Sequence, residues 1–303
     1  MAEDPTAPPK FALMINGLPG AMGKEIAAAC LRRGIELAPF GMTGDAITDT
    51  EVTVDDGHGG TPTTVALFRS SEREALAAKV SSSYPTPGAV VCIDFTHPSA
   101  VNANAEWYAA HKLPFVMGTT GGDREALMTC VEDAGLHCVI APNMAKQIVA
   151  LQAALEHMAG EFPGSFEGYA LRVVESHQST KADTSGTAKA ISASLAKLNG
   201  DETFGTDSIE KVRLPEDQLA GGGPSHTGVS PVAEHALGGH AFHTYSLVSG
   251  DGNVEFQFRH NVQGRATYAE GTVDAAVFLA SKAATASEQR VFSMIDVLRA
   301  GAM

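Results

Sequence analysis

F-A-L-M-I-N-G-L-P-G-A-M-G-K-E-I-A-A-A-C-L-R-R-G, from Phe11 to Gly34, runs from an apolar stretch through spaced glycines into an amphipathic segment. Phe11 to Asn16 reads as a buried strand, and the segment that follows reads as a helix with Gly34 as its stop. Between them Gly17, Gly20 and Gly23 recur at intervals of three. Glycine permits the tight turn and the close approach of a diphosphate, and the helix start offers N–H groups and a positive dipole end. A glycine triplet alone is as well explained by a structural turn. Its position between a strand and a helix near the start of the chain favours a cofactor. Gly17, Leu18, Pro19, Gly20, Ala21 and Met22 are therefore candidate cofactor residues. Pro19 departs from the usual fingerprint, which has glycine there, and removes one N–H donor.

Working outward, Ile35 to Thr43 reads as a second strand with no acidic residue until Asp45. Without a carboxylate to repel it, a 2′-phosphate can sit near Thr43. That favours NADPH and leaves NADH possible, although no arginine flags the position. Residues 50–68 read as hairpin material around the turn D-D-G-H-G-G, followed by a helix through S-E-R-E-A-L-A-A-K-V. A-V-V-C-I-D-F-T, ending its strand at Asp94, is apolar on both faces, as a parallel sheet requires. A helix with Trp107, the strand P-F-V-M-G-T-T-G, another helix and the strand H-C-V-I-A-P-N complete the alternation. This is the pattern of a doubly wound α/β domain. Gly118, Thr119 and Thr120, and Ala141, Pro142, Asn143 and Met144, follow later strands at the carboxyl edge, where such sheets bind ligands.

The texture changes after Asn143. A helix from Ala145 to Ala159 and a strand from Tyr169 to Ser176 precede longer β-like runs. These are S-I-E-K-V-R-L, H-A-F-H-T-Y-S-L-V-S and N-V-E-F-Q-F-R-H-N-V, the last two joined by G-D-G-N. The pattern reads as an antiparallel sheet in a second domain. Residues 221–228 read as a mobile loop, and two helical segments, 266–286 and 288–300, close the chain.

The length of 303 residues suits about two domains. Hydrophobic residues at 44% and charged residues at 18% are those of a globular protein. Lys and Arg number 21 against 35 Asp and Glu, a net charge of −14, with no basic block, which argues against a nucleic-acid partner. No apolar run is long enough for a membrane partner. An anion must therefore be drawn by local devices, against the field of the whole molecule. Cys30, Cys92, Cys130 and Cys138 show no metal spacing, so no metal site is expected and a reducing compartment fits. The N-terminus, M-A-E-D-P-T-A-P-P-K, is unlike a targeting peptide.

E-S-H-Q-S-T-K-A-D-T-S-G-T-A, Glu175 to Ala188, carries the second constellation. Asp183 or Thr184 is positioned to cap a helix whose Ile191, Leu195 and Leu198 share one face. The N–H groups of Ser185, Gly186 and Thr187 then fall in its first turn, a carboxylate site. Lys181 supplies a charge, and His177 is suited to moving a proton near neutral pH. Singly, each has a plainer reading, as a structural histidine, a solvated lysine and a helix cap. The combination raises the odds of a site without naming a reaction.

The chain resembles the dihydrodipicolinate reductases of the diaminopimelate route to lysine. The matching pieces are N-G-L-P-G-A-M-G-K-E, V-C-I-D-F-T-H-P, V-M-G-T-T-G, the His/Lys motif, G-G-H-A-F-H-T-Y and H-N-V-Q-G-R-A-T-Y-A-E-G-T-V-D-A. They run in order over nearly the whole sequence. The likeness is greatest to the plant-type branch, because bacterial members have a second histidine at Gln178 and D-A-P-S-G-T-A in place of D-T-S-G-T-A. The resemblance implies a Rossmann-like dinucleotide-binding domain, residues 1–143 and 266–303, to which the last helices return. It also implies a substrate-binding and oligomerisation domain, residues 144–265, built on a mixed β-sheet.

The activity implied is NAD(P)H-dependent reduction of a cyclic dicarboxylate imine. His177 would be the general acid/base, and Lys181 the proton donor or substrate cation. Gln178, Ser185, Gly186 and Thr187 would contact substrate, with Arg265 as a hypothetical second carboxylate site. Met144 stands where many members carry a phenylalanine against the nicotinamide. The family forms homo-oligomers through the substrate-domain sheet, with dimer and tetramer both open. The location implied is the plastid stroma for a plant or alga with its transit peptide removed, and otherwise the cytoplasm. The competing readings are another NADP-dependent dehydrogenase acting on amino-acid semialdehydes and a non-catalytic NADPH-sensing protein.

Overall fold

A computed structural model describes residues 11–201, 203–223, 228–285 and 287–301. The N-terminal ten residues and positions 224–227 of the expected loop lie outside the described residues. The chain divides into two compact units, Met1–Lys146 with Ala266–Met303, and Gln147–Arg265.

The first unit opens with strand β1 (Ala12–Asn16), helix α1 (Ala21–Arg32) and strands β2 (Glu36–Leu37), β3 (Phe40–Thr43), β4 (Glu51–Val54) and β5 (Thr63–Arg69). Helix α2 (Arg73–Ser83), β6 (Val90–Asp94), α3 (Val101–Ala110), β7 (Phe115–Met117), α4 (Arg124–Ala134) and β8 (Cys138–Ile140) follow. Six strands form a parallel sheet in the order β13-β8-β7-β6-β1-β2, where β13 (Val291–Phe292) arrives from the end of the chain. Strands β1 and β6 are neighbours although far apart in sequence, so the strand order reverses there. At such a switch point the loops after the two strands part and leave a crevice. Every residue of β1 and β6 is buried, as their unbroken apolar runs require.

The single second strand expected from Ile35 to Thr43 is instead two. Pro39 has no N–H to continue the ladder, and the chain leaves the main sheet there. Strand β3 pairs with β5 in a separate three-stranded sheet, β3-β5-β4.

The second unit contains α5 (Lys146–Glu161), β9 (Tyr169–His177), α6 (Gly186–Asn199), β10 (Glu210–Val212), α7 (Pro215–Leu219), β11 (His240–Ser249) and β12 (Glu255–Gln263). Its sheet has the order β10-β9-β11-β12, with β10 parallel to β9 and the other pairs antiparallel. The sheet is thus mixed, as the resemblance implies, and not purely antiparallel as the strand pattern suggested. Leu155 of α5 and Ile191, Leu195 and Leu198 of α6 pack on Val173, Tyr245 and Leu247 of the sheet. Each such side chain, fully buried, contributes about 1.5–3 kcal/mol.

Helix α8 (Ala266–Ala284) returns to the first unit. The helix expected over 288–300 shortens to α9 (Met294–Arg299). Ser293 and Asp296 form a capping box that starts the helix there, which leaves Val291 and Phe292 to extend the sheet as β13.

Candidate functional site

In the first unit, a cavity of about 470 Å³ lies at the carboxyl edge of β1 and β6. Gly17, Leu18, Pro19 and Gly20 line it on one side, Met42 to Ile47 on another, and Phe95 to His97 beneath. Gly17 has φ +108°, and a Cβ there would collide with the carbonyl oxygen of Phe95. At Gly20 a Cβ would fall 2.7 Å from the Gly17 carbonyl oxygen. Only glycine lets the chain turn this tightly, and it leaves the backbone open to a ligand. Gly20 caps α1 without a side-chain hydrogen bond, so nothing from a cap side chain covers the helix start carrying Ala21 and Met22. This cradle suits a dinucleotide pyrophosphate.

Thr43 lines the cavity and has a structural part as well. It is buried, and its hydroxyl donates to the Leu18 carbonyl at 2.6 Å, so it braces the glycine loop. Asp45 stands in the cavity wall, and no lysine or arginine is among the described lining residues.

Beneath the loops is a polar knot that sequence reasoning missed. The fully buried Asp94 carboxylate accepts from the Thr96 and Thr119 hydroxyls, each at 2.8 Å, from Asn104 Nδ2 at 2.9 Å and from the Tyr108 hydroxyl at 2.8 Å. Asn16 Nδ2 donates to that same tyrosine oxygen at 2.7 Å. The Asp94 main-chain carbonyl also receives the N–H groups of Gly118 and Thr119. Directly and through Tyr108, Asp94 therefore ties together the end of β1 and the chain after β6 and β7. Burial and the adjacent carboxylate push the Tyr108 hydroxyl pKa well up, so it stays protonated as a donor. Thr119 belongs to this knot, and a Cβ at Gly118 would strike the Phe95 ring. Ala141 to Met144 follow β8, where the Asn143 side chain accepts from the Ala145 N–H at 2.8 Å.

In the second unit, His177 is the last residue of β9, and its main-chain carbonyl accepts from Gln218 Nε2 of α7 at 2.6 Å. Lys181 lies beyond a turn closed by its own N–H to the Gln178 carbonyl, and its ammonium pairs with Asp183 at 2.7 Å. Helix α6 is capped by Ser185, not by Asp183 or Thr184 as expected, so Gly186 is its first residue and Thr187 its second. The Ser185 N–H does not face a ligand, because it donates to Glu175 Oε2 at 2.9 Å. The other oxygen of that fully buried carboxylate pairs with Arg213, whose Nε also donates to the Lys181 carbonyl. Glu175 and Arg213 thus fix the lysine turn against the start of α6. Arg213 carried no sequence signal beyond its place in a strand-like run. Arg265 is exposed beside Gly239 in a recess of about 330 Å³, at the end of the sheet where His177 sits.

Four polar rings gather on the strands, three of them buried and that of His260 half-buried. His177 Nε2 lies 2.9 Å from His243 Nε2, His243 Nδ1 lies 2.8 Å from the Tyr245 hydroxyl, and that oxygen lies 3.4 Å from His260 Nε2. Burial pushes His177 down to about 3, helped by Arg213, Lys181 and His240, while the His240 main chain favours a proton on the ring. Burial holds His243 well below the usual histidine range and His260 at about 4. All three rings are neutral at pH 7. Glu175, His177 and His243 bring potential ligand atoms within 4.8 Å of one another. They do not fit a metal, since the carboxylate is bound to Arg213 and a second cation, Lys181, stands nearby.

A glycine-cradled crevice on a parallel sheet and a separate unit with a buried histidine near a lysine are consistent with the class that the chain's relatives identify, a nicotinamide-dependent oxidoreductase. The dihydrodipicolinate reductase N-terminus model matches residues 11–144, and the corresponding C-terminus model matches residues 147–298. The probable 4-hydroxy-tetrahydrodipicolinate reductase 1, chloroplastic, of Oryza sativa subsp. japonica is 44% identical, over 99% of this chain and 82% of that protein. The Arabidopsis thaliana 4-hydroxy-tetrahydrodipicolinate reductase 2, chloroplastic, is 43% identical, over 97% of this chain and 78% of that protein. Dipicolinate-bound dihydrodipicolinate reductase from Paenisporosarcina sp. TG-14 shares the fold at a TM-score of 0.60 and 18% identity, over 94% of this chain and 98% of that one. The chain belongs to the dihydrodipicolinate reductase family, whose members are NAD(P)H-dependent oxidoreductases of lysine biosynthesis.

Proposed function

We propose that this protein reduces the cyclic dicarboxylate imine formed by dehydration of 4-hydroxy-tetrahydrodipicolinate, giving tetrahydrodipicolinate, with His177 as its acid/base group. The observation that carries this is the placement of His177 at the end of β9, beside Lys181 and the start of α6. Bound NAD(P)H supplies the hydride. Gly17 to Met22 would hold its pyrophosphate, while Gly118 to Thr120 and Ala141 to Met144 form the neighbouring wall at the strand ends. Met144 would pack against the nicotinamide. On this reading residues 1–143 and 266–303 bind dinucleotide, and 144–265 bind substrate.

Lys181 leaves Asp183 to take one substrate carboxylate, which the first turn of α6 at Gly186 and Thr187 shares. Gln178 donates from its amide, and Arg265 meets the second carboxylate. His177 delivers the proton that the reduced ring requires. Asp45 in the cavity wall disfavours a 2′-phosphate and Ser70 can donate to one, so NADPH and NADH both serve. The chloroplastic relatives support a plastid location. Self-association through β11 and β12 into a homo-oligomer is checked by sedimentation of the native protein.

The test is NADPH oxidation with freshly generated 4-hydroxy-tetrahydrodipicolinate, repeated with NADH. His177→Ala and Lys181→Ala should each lose about 10²–10⁴-fold in turnover while still binding NADPH. A His177→Ala protein working near the native rate ends the assignment. Turnover of amino-acid semialdehydes instead, or of nothing, would favour the competing dehydrogenase or sensor.

A further inference from the structure

We propose that His243, Tyr245 and His260 form a proton relay that recharges His177 during turnover, with Tyr245 and His260 as positioning residues two and three steps from the substrate. The inference rests on the reading of His177 as the proton carrier.

The register of the sheet builds the line. His243 on β11 lies opposite Glu175 on one side and His260 on the other, and residues paired in this way share a face. Tyr245, two residues along β11, shares it too. The rings of His177 and His243 are 5.1 Å apart, and those of His243 and His260 are 4.5 Å apart.

Hydrogen bonding can run in one direction throughout. His260 Nε2–H donates to the Tyr245 oxygen, the Tyr245 hydroxyl donates to His243 Nδ1, and His243 Nε2–H donates to His177 Nε2. No group need donate twice or accept twice, so one proton can move at every link together. His260 Nδ1 is buried and has no hydrogen-bond partner among the described residues. In this tautomer it carries a lone pair and no hydrogen, which is the cheaper atom to leave unmatched and the one able to receive the next proton.

The chemistry makes a relay useful. A ring kept neutral by burial and by Arg213 and Lys181 stores no extra proton at pH 7. It can yield the proton on one nitrogen only as the other nitrogen gains one. As His177 gives a proton to the substrate carbon, His243 supplies one at Nε2 and receives one at Nδ1 from Tyr245. Tyr245 is replenished by His260, whose Nδ1 is buried at rest and takes a proton once the half-buried ring shifts to meet water. One proton enters and one leaves with no ring left charged, and the reversed line of bonds is reset when His260 Nδ1 releases a proton as the bared His177 Nδ1 takes one from water. The 3.4 Å link between Tyr245 and His260 is the longest and must shorten for the hop.

Tyr245→Phe keeps the ring and deletes the link. Its kcat should fall at least tenfold with KM for substrate and cofactor unchanged, and the solvent isotope effect on kcat should rise. His260→Ala should behave alike and recover turnover when imidazole is added, a rescue that a packing defect would not show. Melting temperatures establish that each variant is folded. Native kcat and isotope effect in Tyr245→Phe, alongside an inactive His177→Ala, overturn the relay and leave the acid/base assignment standing. An active His177→Ala overturns both.

Discussion

Gly17 shows how much one residue decides. Its φ of +108° is open to glycine and costly for any other residue, and its missing Cβ makes room for the Phe95 carbonyl. Gly17→Ala must therefore bear a strained backbone and a clash with main chain that cannot swing aside. We expect a loss of roughly 1–3 kcal/mol, with a lower melting temperature and weaker NADPH binding as the loop shifts. Unchanged values of both would show that the turn is not the constraint. This glycine was legible because the strand before it and the helix after it gave its spacing a context. The Asp94 knot was not, since nothing in D-F-T says that Thr119, Asn104 and Tyr108 converge on that carboxylate. Thr43 was found as a cavity residue, but its hydroxyl is bound to Leu18. A side chain's hydrogen-bond partner is settled by tertiary packing, which residue type alone does not reveal.

Among the elements, β9 and α6 make the second constellation, and Glu175 joins them. Its carboxylate sits at the positive end of α6, bound to the Ser185 N–H and to Arg213. Glu175→Gln keeps the size and removes the charge, leaving Arg213 largely buried and uncompensated. Breaking such a pair costs about 3–5 kcal/mol, and the midpoint of urea unfolding should fall accordingly. An unmoved midpoint would mean that water already screens the pair. The alternation of strands and helices, the buried strands β1 and β6 and the hairpin before β12 could all be read from apolar pattern and turn residues. Short elements could not. Pro39 split one expected strand into two, and the Ser293 capping box converted two expected helical residues into β13. Both signals stood in the sequence, where a single local residue outweighed the wider periodicity.

At the scale of the whole molecule, the relay could not be foreseen because its members come from different strands. His177 and His243 are 66 positions apart and meet only through the register of β9 on β11. Burying several neutral histidines has a consequence for the entire fold. Unfolded, each ring binds a proton near pH 6.5, whereas folded His177 resists to about 3 and His260 to about 4. His137, His240 and His243 are also lowered, chiefly by burial. Between the folded and unfolded values the unfolded chain holds more protons, so stability rises with pH across that window. The contribution is complete above about pH 6.5 and is lost progressively as the pH falls toward 3. Carboxylates begin to take up protons only near 4, so the range from pH 7 to 5 isolates the histidines. Over that range the melting temperature should fall steadily, and His260→Gln, which removes one of these groups, should fall less. A native melting curve that does not move between pH 7 and 5 would mean that these rings are protonated as readily in the folded protein as in the unfolded chain.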